Sequence, residues 1–307
     1  MAGGMGTVTE TSPASLTAGE TSYAWAVDFR HDLGRHLAWS ASWLNEGHTA
    51  THHRDGFAGE IWGNVLTSDH LTFSLGAGAY RYFDTQLRPA GDTVNLHGWT
   101  PIYSISATYY TDSRWFLRAT ANRVVRASDL ATNTVLIGAG RELGKKVRGL
   151  PRGLWDTQRT ALELTAFAGK TIVNTGASED AFATAVEFRD GLARNIDWTF
   201  SWINEGDPQI VRRNGLASQL WFVDEYFGRR FSLGFGIGAY WYFDQRNPPS
   251  SGKQSDRAFA GLFSPTFSVR FAPHWLARLT WNRVLSDYNR DADVILAGIG
   301  YRWGNRP

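Results

Sequence analysis

The segment SLGFGIGAYWYFD at residues 232–244 decides the fold class, because its side chains alternate between two kinds. Every second residue, such as Phe235, Trp241 and Phe243, is mostly large and apolar, and the residues between them are mainly glycine, serine or tyrosine. A period of two is typical of a β-strand with one apolar face. A near copy, TFSLGAGAYRYFD, lies at residues 72–84. The chain therefore contains this two-faced strand twice, and the pattern leaves open whether the glycines make room for water or for packed side chains.

The two copies belong to an internal repeat that covers the chain. The segment that begins at Ala24 matches the segment that begins at Ala183 without a gap. We predict one unit over residues 1–143 and a second over residues 161–307. Residues 144–160 are basic and rich in Gly and Pro, which indicates a linker or an enlarged periplasmic turn.

Each unit is predicted to contain eight antiparallel strands with period-two alternation. In the second unit we place them near 161–174, 181–190, 195–204, 215–226, 231–243, 263–272, 275–285 and 293–303. The first unit repeats them, with its first strand compressed into GGMGTVTETS at the N-terminus. Short turns alternate with long loops, which is typical of outer-membrane barrels.

The polar faces of the strands favour an all-β transmembrane barrel of a Gram-negative outer membrane over a soluble β-sandwich. Trp and Tyr residues cluster towards the strand ends, as in the aromatic girdles of membrane barrels. Charges of both signs recur at matching positions of the two units, in the pairs Asp28/Glu187, Arg30/Arg189 and Arg118/Arg278. No apolar run is long enough for a membrane-spanning helix. The net charge of +2 gives no reason to expect a nucleic-acid partner.

The repeat is compatible with two ways of closing the β-sheet into a barrel. Two barrels of about eight strands would each have a filled interior, whereas one barrel of about 16 strands would enclose an aqueous channel. We favour the single barrel by a small margin, with the linker as an enlarged periplasmic turn.

Each unit resembles the outer-membrane lipid A deacylases, which are small barrels of eight strands. That family carries a His-x-Ser-Asn run on its seventh strand, where this chain has RATANRVV and ARLTWNRVL. Only the Asn is matched, at Asn122 and Asn282. Ala119 and Leu279 stand at the position of the His, and Ala121 and Trp281 at that of the Ser. The resemblance supports the topology and the membrane location and argues against acyl transfer, so no catalytic residue and no cofactor is predicted.

The loop NEGHTATHHRDG is the densest cluster of polar groups. Its three histidines form a weak candidate for a metal site, which the second unit lacks. Both units retain Asn-Glu-Gly followed by Arg-x-Gly, which we interpret as a loop-closing Glu–Arg pair with glycines at positive φ. The predicted loop residues are Glu46, His48, His52, His53, Arg54, Asp55, Glu205 and Arg213.

The inward faces of the strands suggest a function. The predicted lumen-lining residues are Asp28, Arg30, Glu60, Trp62, Tyr80, Tyr82, Arg118, Asn122, Glu187, Arg189, Gln219, Trp221, Tyr240, Tyr242, Arg278 and Asn282. Aromatic faces beside charged groups suit polar or saccharide solutes, so the leading hypothesis is an outer-membrane channel. The alternatives are a lipid-modifying enzyme with a rearranged site and a pair of plugged barrels that act as anchor or receptor. Expected partners are outer-membrane lipid or lipopolysaccharide, a polar or saccharide solute and the barrel-assembly machinery.

Overall fold

The computed structural model describes most of the chain. The described residues are 2–10, 20–34, 36–48, 52–68, 70–87, 93–127, 130–142, 160–174, 180–193, 195–208, 211–246, 258–286 and 290–303. The predicted linker therefore lies, except for its last residue, outside them. The chain divides into two compact units at Pro151/Arg152. Each unit is described by itself below, as barrel 1 and barrel 2.

Sixteen strands make up the two units. In barrel 1 they are β1 (Ala2–Glu10), β2 (Glu20–Asp32), β3 (Leu37–His48), β4 (His52–Thr67), β5 (Leu71–Leu87), β6 (Thr93–Tyr110), β7 (Trp115–Ala127) and β8 (Leu130–Arg141). In barrel 2 they are β9 (Thr160–Val173), β10 (Asp180–Ala193), β11 (Ile196–Asn204), β12 (Arg212–Tyr226), β13 (Phe231–Arg246), β14 (Phe259–Arg270), β15 (Trp275–Leu285) and β16 (Ala292–Trp303). Among the described residues, no helix is long and apolar enough to cross a membrane.

Each unit closes into its own antiparallel barrel, which corrects the prediction of a single barrel. β1 pairs with β8, from Ala2 opposite Gly138 onwards, and β9 pairs with β16 from Leu162 opposite Trp303. A single barrel would instead require β8 to pair with β9. The first and last strands of each unit instead pair with each other, so β8 and β9 belong to different sheets.

The outer face of each barrel is apolar. Large side chains such as Ile105 and Ile137 in barrel 1, and Ile237 and Ile299 in barrel 2, are more than half exposed. Aromatic residues lie towards the strand ends. In barrel 1 they include Trp39, Trp99 and Trp115, and in barrel 2 they include Trp241, Trp275 and Trp303. An apolar band between two aromatic girdles is the outer surface of a membrane barrel.

The glycines of β5 and β13 make room for packed side chains. A Cβ at Gly76 would lie 2.8 Å from the ring of Trp62, and one at Gly236 would lie 2.5 Å from the ring of Trp221. Each indole lies against the neighbouring strand and donates to a hydroxyl on the strand before it, Ser40 Oγ at 2.8 Å or Thr199 Oγ1 at 2.9 Å. The glycine row therefore thins the wall so that a large side chain fits inside.

Above these indoles, towards the long loops, apolar side chains fill both interiors. We call this region the apolar layer. In barrel 1 it consists of Ala24, Ala26, Leu44, Ala58, Tyr80, Ile102, Val124 and Leu136, with Tyr82 packed against it. In barrel 2 it includes Phe167, Ile203, Tyr240, Tyr242, Leu262, Val284, Val294 and Leu296.

Candidate functional site

The inward-facing side chains of each barrel form the candidate site. Those predicted to line the lumen alternate along their strands with exposed apolar residues and are buried or half-buried. The structure distributes them over two separate interiors, not around one wide pore. Tyr80, Tyr240 and Tyr242 belong to the apolar layer, whereas the charged side chains lie nearer the short turns.

Barrel 2 contains a continuous network of ion pairs, here called its charged layer. Its members are Glu163, Glu187, Arg189, Asp197, Glu225, Arg270, Arg278 and Arg302. Arg278 is the centre, with Nη1 at 2.6 Å from Glu163 Oε1 and 2.9 Å from Glu187 Oε1. Glu163 also accepts from Arg302 at 3.1 Å. With four carboxylates and four guanidiniums, the layer is neutral.

The remaining contacts of this network are made by Arg189 and Arg302. Arg189 lies 3.0 Å from Glu187 and 3.5 Å from Asp197, and its guanidinium stacks on Trp221 at 4.5 Å from the ring centroid. Arg302 Nη1 is 3.3 Å from Glu225 Oε1. Every guanidinium of the layer therefore has a carboxylate partner, as burial of charge requires.

The charged layer of barrel 1 is smaller and consists of Asp28, Arg30, Glu60 and Arg118. Arg118 Nη1 lies 2.5 Å from Asp28 Oδ2. Arg30 stacks on Trp62 at 3.6 Å and donates to Ser106 Oγ at 3.4 Å. Arg30 Nε and Glu60 Oε1 are buried without a hydrogen-bond partner among the described residues. The charged layer of barrel 1 is therefore less completely paired than that of barrel 2.

Between the charged and apolar layers, barrel 2 has a chain of hydrogen bonds. Gln219 Nε2 donates to Ser264 Oγ at 2.8 Å, and that hydroxyl donates to Asn282 Oδ1 at 2.6 Å. A cavity of about 10 Å³ lies beside them, which is roughly the space that one water molecule needs. In barrel 1 the position of Gln219 is taken by Glu60, and Asn122 turns to Thr134 Oγ1 at 3.1 Å.

An ion pair within one hairpin lies at the loop-side rim of each interior, and we call it the rim pair. Arg54 binds Glu46 through two hydrogen bonds of 3.0 and 2.7 Å, and Arg213 binds Glu205 through bonds of 2.8 and 2.7 Å. All four side chains are almost fully buried. Arg54 also donates to Thr132 Oγ1 at 2.9 Å, so the pair connects β4 with β8.

The local motif explains how the Glu reaches the interior. Asn45 Oδ1 accepts from the amide of Gly47, and Asn204 Oδ1 accepts from that of Gly206. Both glycines have positive φ, at 113° and 76°, and the first sits at a β-bulge. The bulge and the Asx turn rotate the intervening Glu inward.

Two details of the predicted loop need correction. The hairpins extend to the rim, so most of the predicted loop residues lie in strands: Glu46 and His48 in β3, His52, His53, Arg54 and Asp55 in β4, and Arg213 in β12. Gly56 and Gly215 do not belong to the positive-φ glycines. Gly56 instead leaves room for Tyr80, whose ring would lie 2.8 Å from an added Cβ.

The histidine cluster shows no metal geometry in the described part of the chain. No group of three potential ligands comes together there. His53 Nε2 lies 3.1 Å from Asn45 Nδ2 and 4.0 Å from Asp55 Oδ2. The side chains of His48 and His52 lie outside the described residues.

Several members of the site were not predicted from the sequence, namely Glu163, Asp197, Glu225, Arg270 and Arg302. The counterparts of the last four in the first unit carry no matching charge, and Glu163 has no counterpart because the register aligns Ala2 of β1 with Phe167. Comparison of the two repeats therefore does not select them. The available signal was the face they occupy, since Glu163 and Arg302 alternate with exposed residues along β9 and β16.

The positions that correspond to the deacylase His and Ser lie on the outer face. Ala119 and Leu279 are exposed, and Trp281 donates to Asp293 Oδ1 at 2.8 Å. None of them offers an imidazole base or a hydroxyl nucleophile.

No protein-family model and no curated protein matches the chain. Solved structures that align with it include the CymD monoaromatic hydrocarbon channel, with 10% identity, TM-score 0.22, and coverage of 100% of this chain and 88% of that one. An outer membrane channel from Pseudomonas putida F1 has 11% identity, TM-score 0.24, and coverage of 98% and 93%. The translocator domain of autotransporter NalP from Neisseria meningitidis has 8% identity, TM-score 0.21, and coverage of 98% and 86%. At these values the likeness carries no argument about function.

The chain's own geometry defines its class. Closed antiparallel barrels with an apolar outer band, aromatic girdles and charged interiors satisfy all backbone groups within a lipid bilayer. Such barrels are the spanning structures of outer membranes. The protein is an outer-membrane β-barrel protein.

Proposed function

We propose that the protein is a non-conducting outer-membrane anchor whose two filled barrels carry the long loops at the membrane surface. The charged layer of barrel 2 supports this proposal most directly. Its central groups Glu163, Arg189 and Arg278 have side chains no more than 3% exposed. A polar solute would have to break several buried ion pairs to pass, at a cost of several kcal/mol for each separated charge.

The aromatic faces inside the barrels are occupied. Trp62 and Trp221 stack on Arg30 and Arg189, and Tyr240 is fully buried in the apolar layer. A saccharide would have to displace these contacts before it could stack. Passage of sugars therefore has less support than a closed interior.

A channel for small polar solutes is the second candidate function, and barrel 1 is the observation that favours it. Arg30 Nε and Glu60 Oε1 in its interior are buried without a hydrogen-bond partner among the described residues, so they could bind a polar solute or water. Any conducting path would therefore run through barrel 1.

Planar-bilayer recording with the purified full chain separates the two candidates. We expect no stable single-channel currents of porin size, while a porin inserted under the same conditions conducts. Stable unitary currents would contradict the anchor and favour the channel. The Glu60→Gln variant then tests the path, because loss of this carboxylate should change the cation selectivity of a current through barrel 1.

The lipid-modifying enzyme remains the least supported of the three hypotheses. Analysis of lipid A acyl chains after expression of the parent chain and of a His48→Ala/His52→Ala variant provides the test. We expect identical profiles in both strains. Lipopolysaccharide and the barrel-assembly machinery are proposed partners on the strength of the apolar outer band and the barrel architecture.

A further inference from the structure

We propose that the outer wall of barrel 1 carries, at Arg123, a binding site for a phosphate group of lipopolysaccharide in the outer leaflet. The inference deepens the proposed function, on which it rests for the lipid partner, by naming the place of contact. The difference between Arg123 and Arg283, its counterpart in barrel 2, carries the argument.

Arg123 lies on the outer face of β7, near the loop-side end of that strand. The next residue, Val124, faces the interior and is buried. Towards the short turn, the outward-facing residues of β7 are the apolar Ala121, Ala119 and Leu117. Because the long loops of an outer-membrane barrel face the cell exterior, Arg123 lies where the apolar band meets the headgroups of the outer leaflet.

The strands on both sides of Arg123 present polar groups beside it. Tyr103 on β6 lies opposite Arg123 and is 52% exposed. Asn133 on β8 lies opposite Arg123 on the other side, and its Oδ1 accepts a hydrogen bond from Arg123 Nη1 at 3.1 Å. The Arg123 side chain is itself exposed. Among the described residues, its hydrogen-bond partner is therefore a neutral amide.

No acidic residue compensates the charge of Arg123 from its own strand or from the two adjacent strands. The ranges of β6, β7 and β8 contain no Asp and no Glu. The planar guanidinium binds phosphate oxygens through two parallel hydrogen bonds, and the phenol of Tyr103 adds a further donor. Phosphate is also the anion that lipopolysaccharide presents at the edge of the apolar band. The wall around Arg123 thus complements this headgroup in charge and in position.

Barrel 2 neutralises the matched arginine within the protein. Asp293 lies opposite Arg283, at the register position that Asn133 occupies in barrel 1. Arg283 Nη1 lies 2.9 Å from Asp293 Oδ2, and the Arg283 side chain is only 5% exposed. A single exchange of acid for amide therefore leaves the charge of Arg123 available to a ligand, whereas that of Arg283 is already compensated.

Two substitutions test the site in different ways. Arg123→Gln removes the guanidinium, whereas Asn133→Asp retains it and supplies the counter-charge found in barrel 2. Arg283→Gln is the matched control, because it removes an arginine whose charge Asp293 already neutralises. Each full chain is folded in detergent micelles, and circular dichroism should show the same strand content in all four proteins. Native mass spectrometry then measures the dissociation constants of bisphosphorylated lipid A, dephosphorylated lipid A and phosphatidylglycerol.

We expect Arg123→Gln and Asn133→Asp each to weaken the binding of bisphosphorylated lipid A about tenfold, which corresponds to the loss of one charged hydrogen-bonded contact. Arg283→Gln should leave this affinity unchanged, and dephosphorylated lipid A should not distinguish the four proteins. Unchanged affinity in both barrel 1 variants, or an equal loss with Arg283→Gln, would overturn the proposal. So would phosphatidylglycerol binding that is as tight and as dependent on Arg123. Porin-size currents from the wild-type chain would contradict the anchor function, whereas the lipid A titration tests this site independently.

Discussion

The two barrels share a scaffold but neutralise their buried arginines differently. In barrel 2 the counter-charge of Arg189 includes Asp197 on β11, and Gln219 on β12 is neutral. In barrel 1 the position of Asp197 is Ala38, and the position of Gln219 is Glu60. The carboxylate has thus moved from one strand to its neighbour. This difference shows that the net charge of a layer constrains the interior more tightly than any single position does.

The different position of the carboxylate changes how completely the charged groups of each layer are paired. The carboxylate of Asp197 lies close enough to pair with Arg189 directly, at 3.5 Å. In barrel 1 the residue opposite Ala38 is Trp62 on β4. Glu60 lies two residues from Trp62 on the same strand, on the side of the apolar layer. In the charged layer of barrel 2 every guanidinium consequently has a carboxylate partner, whereas Arg30 Nε and Glu60 Oε1 in barrel 1 have no hydrogen-bond partner among the described residues.

The largest effect is expected from Glu163→Gln, because this carboxylate contacts both Arg278 and Arg302. Its removal leaves buried positive charge and should lower the free energy of unfolding of barrel 2 by about 3–5 kcal/mol. Hydrogen exchange followed by mass spectrometry should show faster exchange in peptides of β9–β16. Because each barrel closes on itself, peptides of β1–β8 should remain unchanged, and a parallel change in both barrels would contradict this independence.

Arg213→Met should lower the unfolding free energy of barrel 2 by about 3 kcal/mol, since it leaves Glu205 buried and unpaired. The double variant Arg213→Met/Glu205→Leu should recover most of this loss because it removes both charges. Urea titration of the three proteins in micelles provides the measurement. A double variant that is no more stable than the single one would show that the rim pair has a further role.

Gly76→Ala should destabilise barrel 1 by about 1–3 kcal/mol through overpacking, because the new Cβ would press on the Trp62 ring at 2.8 Å. Gly59→Ala is the matched control, since nothing lies within 4 Å of a Cβ at that position. Urea titration should separate the two variants. Equal midpoints would mean that the indole moves aside without cost.

Glu60→Gln alone should lower the free energy of unfolding of barrel 1 by about 1 kcal/mol, because Asp28 still compensates part of the charge of the buried Arg30. Adding Ala38→Asp transfers the arrangement of barrel 2 into barrel 1 and should restore stability. The same urea titration compares the single and double variants. If Ala38→Asp destabilises the Glu60→Gln protein further, then the two arrangements are not interchangeable.

Much of the fold could be predicted from the sequence, because strand periodicity and the repeat are local signals. The strands predicted near 231–243 and 275–285 correspond to β13 and β15, and the inward faces follow from alternation alone. Barrel closure could not be predicted, since it depends on whether β1 pairs with β8 or β16, and both sequences alternate equally well.

The site could be predicted only in part for a related reason. Arg30, Arg118 and their counterparts recur in both units and were therefore visible. Asp197 and Arg302 occur once, so comparison of the repeats does not reveal them. Asp197 pairs with Arg189 on the adjacent strand β10, and Arg302 lies directly opposite Glu163, a contact that forms only when β16 closes onto β9. The extent of the hairpins beyond Asn45 was also hidden, because polar rim strands have no apolar face to mark them.

The exchange between Asp197 and Glu60 bears on how distant relatives of this chain can be found. An alignment that scores each column separately registers an acid lost at Ala38 and an acid gained at Glu60, and penalises both. Across the five positions 28, 30, 38, 60 and 118 and their counterparts 187, 189, 197, 219 and 278, the formal charge is nonetheless zero in each barrel. A search that compared the summed charge of the inward-facing residues in each layer, and not each residue separately, would recognise the two barrels as related.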